Sequence, residues 1–536
     1  MRTNKLMTPD AAAALIPDGA VVTVGGSSGL NTPDRMLRAI GERHAACGHP
    51  RELTMLHPIA AGDMWGIRGI DHLARPGLLA RVLAGSYPSG PSNAESPAIW
   101  KMIIGNEVAA YNVPSGILFD MHRDVAARRP GVLTRVGLDT FADPDRQGCR
   151  MNAAAAAPIV RKIRFDGEDW LHFPNIVPNI AIIRATTADE DGNLSMEHEG
   201  GYLGVLDQAI AVRNHGGIVI AQVKRLVARG SLPTQRVYVP SHLVDAIVVD
   251  PGQMQTTQTV YDPAISGETR QPLDHFEAPP FGAEKLIARR AAMELLGGGV
   301  ANLGFGVSAL VPGILLEEGL AGDVTWVIEQ GAVGGIPLTG FAFGCSANAD
   351  AILPSPTQFM YFQGGGFDVS LLSFMEVDAE GNVNVSRLSA KPHVTAGCGG
   401  FVDITAHAKK IVFTGFFRAG GLELDIGDGR LVIKREGRFA KFVPEVEHVT
   451  FSGRRGKATG QDVTYVTERC VIRLTPQGLV VTEVAPGIDV ARDVLAQAAI
   501  PLAVADDLKL MDARLFTDRL MQLTLPVRAS RIGPAA

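Results

Sequence analysis

The chain has 536 residues, of which 46% are hydrophobic and 20% charged, so it is long enough for two or more domains with their own cores. Its net charge of -6 gives no electrostatic reason to bind nucleic acid or an anionic membrane surface, and we expect neither partner. The five cysteines are scattered and lack CxxC pairs, which predicts no disulfide framework and favours a reduced, cytoplasmic location.

The predicted elements begin with a short helix near the N-terminus. Thr8 can cap a helix, Pro9 suits its first position, and an alanine-rich run follows. This pattern lacks the charged and apolar regions of a signal peptide. No run of about 18 apolar residues occurs elsewhere, so no membrane span is predicted.

A unit of strand, glycine-rich loop and helix occurs twice, in residues 20–46 and 297–320. Two further patterns follow each copy in the same order. The first is an apolar strand that leads through an acidic turn to Gly-Asn, and the second is a helical stretch that leads to a β-branched strand. These patterns cover residues 180–195 and 206–223 after the first copy, and residues 370–386 and 401–416 after the second. We therefore predict an α/β protein with two similar open α/β domains that arose by internal duplication.

The domain boundary is predicted within residues 266–285, where prolines and charged residues interrupt the apolar pattern. The first domain then covers residues 1–272 and the second residues 280–536. The final stretches, 481–497 and 504–516, are predicted as helices that follow a short strand.

A candidate catalytic residue, Glu329, directly follows an apolar run, residues 324–328, that is typical of a buried strand. The glycine-rich residues 331–337 must end that strand. The carboxylate is therefore predicted at the carboxyl end of a strand, which is where ligands bind in open α/β sheets. Glycines beside it allow backbone amides to approach a reacting group closely.

One possible chemistry is that of a serine hydrolase. Residues 25–29, Gly-Gly-Ser-Ser-Gly, fit the pattern GxSxG and would make Ser27 a nucleophile. However, such hydrolases place several strands and an HGGG-type loop before this serine, whereas here few residues precede it and His-Gly-Gly follows only at 215–217.

A dinucleotide site is a second possibility. Gly304, Gly306 and Ala309 fit GxGxxG/A after a predicted strand, and Glu329 would then bind a ribose hydroxyl. Pro312 would break the helix that has to support the pyrophosphate.

Covalent catalysis by a carboxylate is the third possibility. It requires a glutamate in a dry pocket with amide donors that stabilise an oxyanion. The glycines after Glu329, the triple glycine at 364–366 and the glycine-rich residues 397–400 are candidates to meet at one sheet edge.

Several stretches, taken in order, resemble the single-chain, fused members of the class I CoA-transferases, of the acetate or propionate CoA-transferase type. In the second half they are IEQGAVGGIP, FGCSANADAILP, QFMYFQGGGFDVSLLSFMEVDAEGNVNVSRL, TAGCGGFVDI, FVPEVEHVTFSG and TEVAPGIDV. In the first half they are VVTVGG, GVLTRVGLDTFADP, DGNLS and GGIVIAQV. The resemblance spans nearly the whole chain. It implies a duplicated α/β architecture in which each half is similar to one subunit of the two-chain relatives.

The resemblance implies that Glu329 is the catalytic nucleophile. The implied reaction transfers CoA from a short-chain acyl-CoA to a free carboxylic acid, through an acyl-glutamyl anhydride and a glutamyl-CoA thioester. An acyl-CoA hydrolase of related fold and a nicotinamide-dependent dehydrogenase are the alternatives. With the triple-glycine loop included, the predicted oxyanion and CoA-binding residues are Gly397, Gly399, Gly400, Gly25, Gly26, Gly364 and Gly365.

The predicted partners are acyl-CoA and short-chain carboxylic acids, and a homo-oligomer is expected. CoA serves as a substrate, and no cofactor or metal is predicted because the 13 histidines show no metal-ligand spacing. Tyr111, Asn112 and the Pro-Ser-Gly turn after them are candidates to line an acyl pocket.

Overall fold

Two large, mainly parallel β-sheets dominate the computed structural model, which describes residues 5–89 and 95–529. Their central strands are almost continuous apolar runs. One of them, Ile180–Asp189, is buried along its whole length, as is typical of parallel sheets that are covered on both faces. The sheets lie one after the other in the sequence, which confirms the predicted α/β fold.

We refer to residues 5–249 as the first half and to residues 283–529 as the second half. Between them the regular structure is limited to the 3-10 turn Leu273–His275 in the described residues. The first half contains the helices α1 (Pro9–Ala13), α2 (Asp34–Cys47), α3 (Ala98–Ile104), α4 (Ser115–Ala126) and α5 (Val205–Arg213), and the strands β1 (Val21–Val24), β2 (Leu53–His57), β3 (Leu79–Ala84), β4 (Ala109–Asn112), β5 (Gly131–Thr134), β6 (Arg161–Phe165), β7 (Glu168–Pro174), β8 (Ile180–Asp189), β9 (Leu194–Ser195), β10 (Ile218–Val227) and β11 (Ala246–Val249).

The second half contains more strands, many of them short. Its helices are α6 (Ala283–Ala292), α7 (Val311–Glu317), α8 (Ser355–Gln363), α9 (Phe401–Thr405) and α10 (Gly453–Ala458), and its strands are β12 (Gly299–Leu303), β13 (Val324–Val327), β14 (Ala332–Val333), β15 (Ile336–Pro337), β16 (Ser346–Ala347), β17 (Ala351–Ile352), β18 (Val369–Ser373), β19 (Glu376–Val377), β20 (Val383–Asn384), β21 (Lys410–Thr414), β22 (Arg418–Ala419), β23 (Glu423–Gly427), β24 (Arg430–Arg435), β25 (Phe439–Ala440), β26 (Asp462–Val466), β27 (Cys470–Thr475), β28 (Gly478–Val484) and β29 (Ala503–Leu510).

The two large sheets share one strand order. Five strands of the first sheet follow the order β11-β10-β8-β1-β2, and five strands of the second follow the order β26-β21-β18-β12-β13. Every neighbouring pair in both series is parallel. The corresponding strands also occur in the same order along the sequence, which confirms the predicted duplication.

The two acidic turns that suggested the duplication have the same geometry. Asp189 Oδ1 accepts the Asn193 amide and Oδ2 accepts the Asn193 side chain, both at 2.9 Å. Asp378 accepts the amide and the side chain of Asn382 in the same way, both at 3.0 Å. In each half a carboxylate fixes its own following turn, which is the reason for the acidic residue at that position.

The predicted N-terminal helix is present as α1, and the Thr8 hydroxyl accepts a hydrogen bond from the Ala11 amide at 3.2 Å. The last part of the chain differs from prediction. Residues 504–516, expected to be helical, form the edge strand β29 and then a 3-10 turn. Most side chains of β29 are exposed. Charged side chains are common on an edge strand. Here they interrupt the alternation of apolar and polar residues by which a strand is distinguished from a surface helix, and this is why the strand was predicted as a helix.

The two halves meet through helix α4 of the first half and helices α8 and α9 of the second. The rings of Phe119 and Phe359 pack with centroids 5.4 Å apart. The Gly116 amide at the start of α4 donates to Asp403 Oδ2 in α9 at 3.0 Å. Helices of both halves therefore form a common interface.

Candidate active site

Glu329 lies at the tip of a short antiparallel hairpin between β13 and β14. The Gly331 amide donates to the Ile328 carbonyl at 2.9 Å and closes the turn. Gly331 has a φ of 113°, and a Cβ there would lie 1.8 Å from the Leu353 carbonyl oxygen. Only glycine fits this position, so the sequence after Glu329 fixes the carboxylate at the carboxyl edge of the second sheet.

The Glu329 carboxylate faces residues 397–400, which we call the amide loop and which lead into helix α9. The Gly400 amide donates a hydrogen bond to the carboxylate. A Cβ on Gly400 would lie 2.9 Å from Glu329 Cδ and 2.5 Å from Cε1 of Phe359. A Cβ on Gly399 would lie 3.9 Å from Glu329 Oε2. Because residue 400 has no side chain, its main-chain amide can reach the carboxylate.

Burial controls the ionisation of Glu329. It raises the pKa of the carboxyl to about 7, whereas the hydrogen bond from the Gly400 amide lowers the pKa. The residue as a whole is half-buried, so part of Glu329 remains in contact with solvent. Near neutral pH a large fraction is therefore ionised but poorly solvated, and this is the form that can act as a nucleophile.

A second buried carboxyl, that of Asp403 in α9, lies close enough to interact with Glu329. Burial raises the pKa of Asp403 to about 8, and negative charge on Asp120 and Glu329 also raises it. Hydrogen bonds from the Gln363 side chain and the Gly116 amide, both 3.0 Å long, lower the pKa. The largely neutral Asp403 adds little negative charge beside Glu329 at pH 7.

The N-terminal glycine loop reaches the residue next to Glu329. Gly25 and Gly26 follow strand β1, and Gly26 has a φ of 139°. The next residue, Ser27, accepts a hydrogen bond from Gln330 Nε2 at 2.9 Å. The nearest neighbours of Gly25 and Gly26 themselves belong to the first half. The two glycines thus lie beside the hairpin of Glu329 but do not contact its carboxylate.

Known proteins share this architecture along almost the whole chain. A family model described as coenzyme A transferase matches residues 6–250. The acetate CoA-transferase YdiF of Escherichia coli strain K12 is 38% identical, over 98% of this chain and 97% of that protein. This chain belongs to the coenzyme A transferase family. The caffeate CoA-transferase of Acetobacterium woodii is 39% identical, over 96% of this chain and 98% of that protein. The crystal structure of YdiF from Escherichia coli O157:H7, a thioester complex with CoA, matches with a TM-score of 0.89 at 37% identity and covers 98% of both chains.

In this CoA-transferase Gly304 and Gly306, which fit the dinucleotide-binding pattern, allow close packing against the neighbouring strand. A Cβ on Gly304 or Gly306 would lie 2.6 Å from a side-chain atom of Leu372 or Ser373, respectively. A 3-10 turn separates the glycines from helix α7, and Pro312 occupies the first turn of that helix. The prediction that Pro312 breaks a helix was wrong, because it lies where a proline is tolerated. The loop nevertheless lacks the helix N-terminus that a pyrophosphate needs.

The surroundings of Ser27 also do not fit a serine hydrolase. Ser27 is buried, and its hydroxyl accepts from the Gln330 side chain. Among the described residues no histidine forms a hydrogen bond with Ser27, so no general base is paired with it.

The described part of the chain contains no cluster of three or more His, Cys, Asp or Glu side chains that could hold a metal ion. Within residues 5–89 and 95–529, no helix is both long enough and apolar enough to cross a membrane.

The triple-glycine loop of the CoA-transferase does not join the amide loop. Gly364 ends helix α8, and a Cβ on Gly365 would lie 2.3 Å from the His407 carbonyl oxygen. The loop directly precedes β18, which runs parallel to its neighbours β12 and β21. It therefore lies at the amino edge of the sheet, opposite Glu329. The prediction for Gly364 and Gly365 is corrected on this ground.

At least three first-half residues, Gly85, Asn112 and Ser115, contact the amide loop and were not predicted to do so. The Cys398 amide donates to Asn112 Oδ1 at 2.9 Å, and the Gly399 amide donates to the Gly85 carbonyl at 2.8 Å. Asn112 was expected to line an acyl pocket together with Tyr111, but both side chains are buried. Asn112 and Cys398 are 286 residues apart, so no local pattern reveals this contact.

Proposed function

We propose that this enzyme is a short-chain acyl-CoA:carboxylate CoA-transferase in which Glu329 is the nucleophile. The observation that carries the proposal is the poorly solvated carboxylate of the half-buried Glu329, paired with the Gly400 amide between the two halves. Family membership supplies the class of reaction. Relatives named for acetate and for caffeate support a carboxylic acid as the acceptor.

The reaction begins when the Glu329 carboxylate attacks the thioester carbonyl of acyl-CoA. CoA thiolate leaves, and an acyl-glutamyl anhydride remains on the enzyme. The thiolate then attacks the glutamyl carbonyl, which releases the first carboxylic acid and gives a glutamyl-CoA thioester. The incoming carboxylate attacks this thioester, and the same steps in reverse deliver the new acyl-CoA. The anhydride and the thioester both retain the transfer potential of the original thioester bond.

The Gly400 amide has a specific part in this scheme. When CoA thiolate attacks the acylated Glu329, negative charge develops on the oxygen of the glutamyl carbonyl. The Gly400 amide acts on the carboxyl group of Glu329, whose Cδ would lie 2.9 Å from a Cβ on Gly400, so it is a candidate to donate to that oxygen. A preorganised donor of this kind contributes about 3 kcal/mol to the transition state. Gly397 and Gly399 support the same loop, and Gly25 and Gly26 contribute the opposite wall beside Gln330.

We extend the proposal to the organisation of the enzyme. The domains are residues 1–272 and residues 280–536, and the second carries the nucleophile. CoA is a substrate, and no further cofactor takes part. The resemblance to fused class I enzymes supports a homo-oligomer, and the cysteine usage supports the cytoplasm as its location.

Steady-state kinetics and one variant test the proposal. A covalent intermediate predicts ping-pong behaviour, with parallel double-reciprocal lines for acyl-CoA and acceptor acid. Glu329→Asp should lose most activity, because the shorter side chain moves the attacking oxygen by about 1 Å. Intersecting lines together with near-normal turnover of Glu329→Asp would contradict the mechanism. Rapid release of CoA without an acceptor acid would instead identify an acyl-CoA hydrolase.

A further inference from the structure

The amide loop of the second half is held by groups of the first half. The Gly399 amide donates to the Gly85 carbonyl at 2.8 Å, and the Gly399 carbonyl accepts from the Ser115 amide at 3.0 Å. The Cys398 amide donates to Asn112 Oδ1 at 2.9 Å. The loop therefore continues the edge of the first sheet at the ends of β3 and β4, although by sequence it belongs to the second half.

Asn112 makes the central contact of this set. It is the last residue of β4, and its side chain is 1% exposed. Its Nδ2 donates to the carbonyls of Ala84 and Gly85, at 3.0 and 2.7 Å. These two bonds fix the plane of the side-chain amide and leave Oδ1 to accept from Cys398. A Cβ on Gly397 would lie 2.8 Å from Asn112 Nδ2, so the loop packs directly on this side chain.

We propose that Asn112 is a positioning residue that sets the direction of the Gly400 amide and thereby the rate of adduct formation on Glu329. Cys398 lies two residues before Gly400 in the same tight loop, so a shift of the Cys398 amide also moves the Gly400 amide. A misplacement of about 1 Å costs a catalytic group much of its effect. The inference rests on the proposed role of Glu329 as nucleophile. It assigns the first half a part in positioning the catalytic groups of the second half.

The test compares Asn112→Ala with a matched control, Asn152→Ala. Asn152 Nδ2 also donates to two main-chain carbonyls, each at 2.8 Å, and its Oδ1 accepts the Ala110 amide at 3.2 Å. All these contacts of Asn152 lie within the first half. Asn112→Ser is a second variant, because its shorter side chain also removes the acceptor for Cys398 but retains a hydroxyl for the neighbouring carbonyls. Thermal unfolding is measured for every variant.

We expect the Asn112 variants to lower kcat by about 100-fold with little change in KM for acyl-CoA, because an oxyanion donor acts in the transition state. A weaker hydrogen bond from Gly400 should also move the midpoint of the pH–rate profile upward by about half a pH unit or more, since this bond lowers the pKa of Glu329. Asn152→Ala should lose thermal stability to a similar extent and keep both kcat and the pH midpoint.

A folded Asn112 variant with the kcat and pH midpoint of the wild type would overturn the inference. Mass spectrometry of the Glu329 peptide separates this result from a failure of the proposed function. If wild type and variant form the adduct at the same rate, only the role of Asn112 fails. If the wild type forms no adduct during turnover, the nucleophile itself is wrong.

Discussion

Replacing Glu329 by glutamine should abolish transfer and stabilise the fold in a pH-dependent manner. Burial raises the pKa of this carboxyl from its ordinary value of 4.5 to about 7. Between these two pH values the folded protein binds more protons at Glu329 than the unfolded chain does. The free energy of unfolding of the wild type therefore falls as the pH rises through this window. Glutamine cannot ionise, so the stability of Glu329→Gln does not fall in this way as the pH rises.

The size of the effect follows from the same pKa values. At 1.36 kcal/mol per pKa unit, the full rise corresponds to about 3 kcal/mol, and the partial exposure of the residue reduces this to about 2 kcal/mol. The stability difference between Glu329→Gln and wild type should be small at pH 4.5 and complete above about pH 8. In thermal unfolding it corresponds to roughly 2–4 °C at pH 8.5 for a unit of this size.

Differential scanning calorimetry at several pH values between 4.5 and 8.5 measures this difference. Glu445→Gln serves as the control, because Glu445 is exposed and its replacement should leave the pH dependence unchanged. A difference between Glu329→Gln and wild type that is the same at every pH would refute the reasoning. So would a difference that shrinks as the pH rises.

Three further predictions concern the site. The single-turnover rate of adduct formation should rise with pH and reach half its maximum near pH 7, because only ionised Glu329 attacks; a rate independent of pH between 6 and 8 would count against this. Gly400→Ala should lose activity, because its Cβ would lie 2.5 Å from a ring atom of Phe359. Gly364→Ala should remain active in the same initial-rate assay, because its Cβ would lie 3.4 Å from its nearest neighbour. Equal losses of activity in the two variants would contradict the assignment of the amide loop, and not the triple-glycine loop, to the active site. Ser27→Ala should retain turnover, and its complete inactivation would favour the hydrolase chemistry.

The fold was largely predictable, because buried parallel strands leave a strong apolar signal. The repeated order of strand, loop and helix predicted two similar halves. The turns at Asp189 and Asp378 have the same hydrogen bonds, which explains why the same acidic sequence pattern occurs in both halves. The edge strand β29 was not predicted. Its exposed, charged residues carry no alternation that a core would impose.

Only the part of the candidate site that follows from the position of a single strand could be predicted from the sequence. Glu329 lies two residues after the end of β13, so its place at a sheet edge could be inferred from residues 324–337. Glycine content alone misplaced Gly364 and Gly365, because it does not tell which end of a strand a loop adjoins. The contact of Asn112 with the amide loop depends on how two distant halves pack, and a sequence pattern does not carry that information.

The most direct measurement of the central claim is a mass spectrum of the Glu329 peptide after the enzyme is incubated with acyl-CoA alone. The proposed mechanism predicts a CoA adduct on Glu329 that disappears when an acceptor acid is added, and no adduct in Glu329→Gln. An enzyme that exchanges CoA between acids at full rate with an unmodified Glu329 peptide would contradict it.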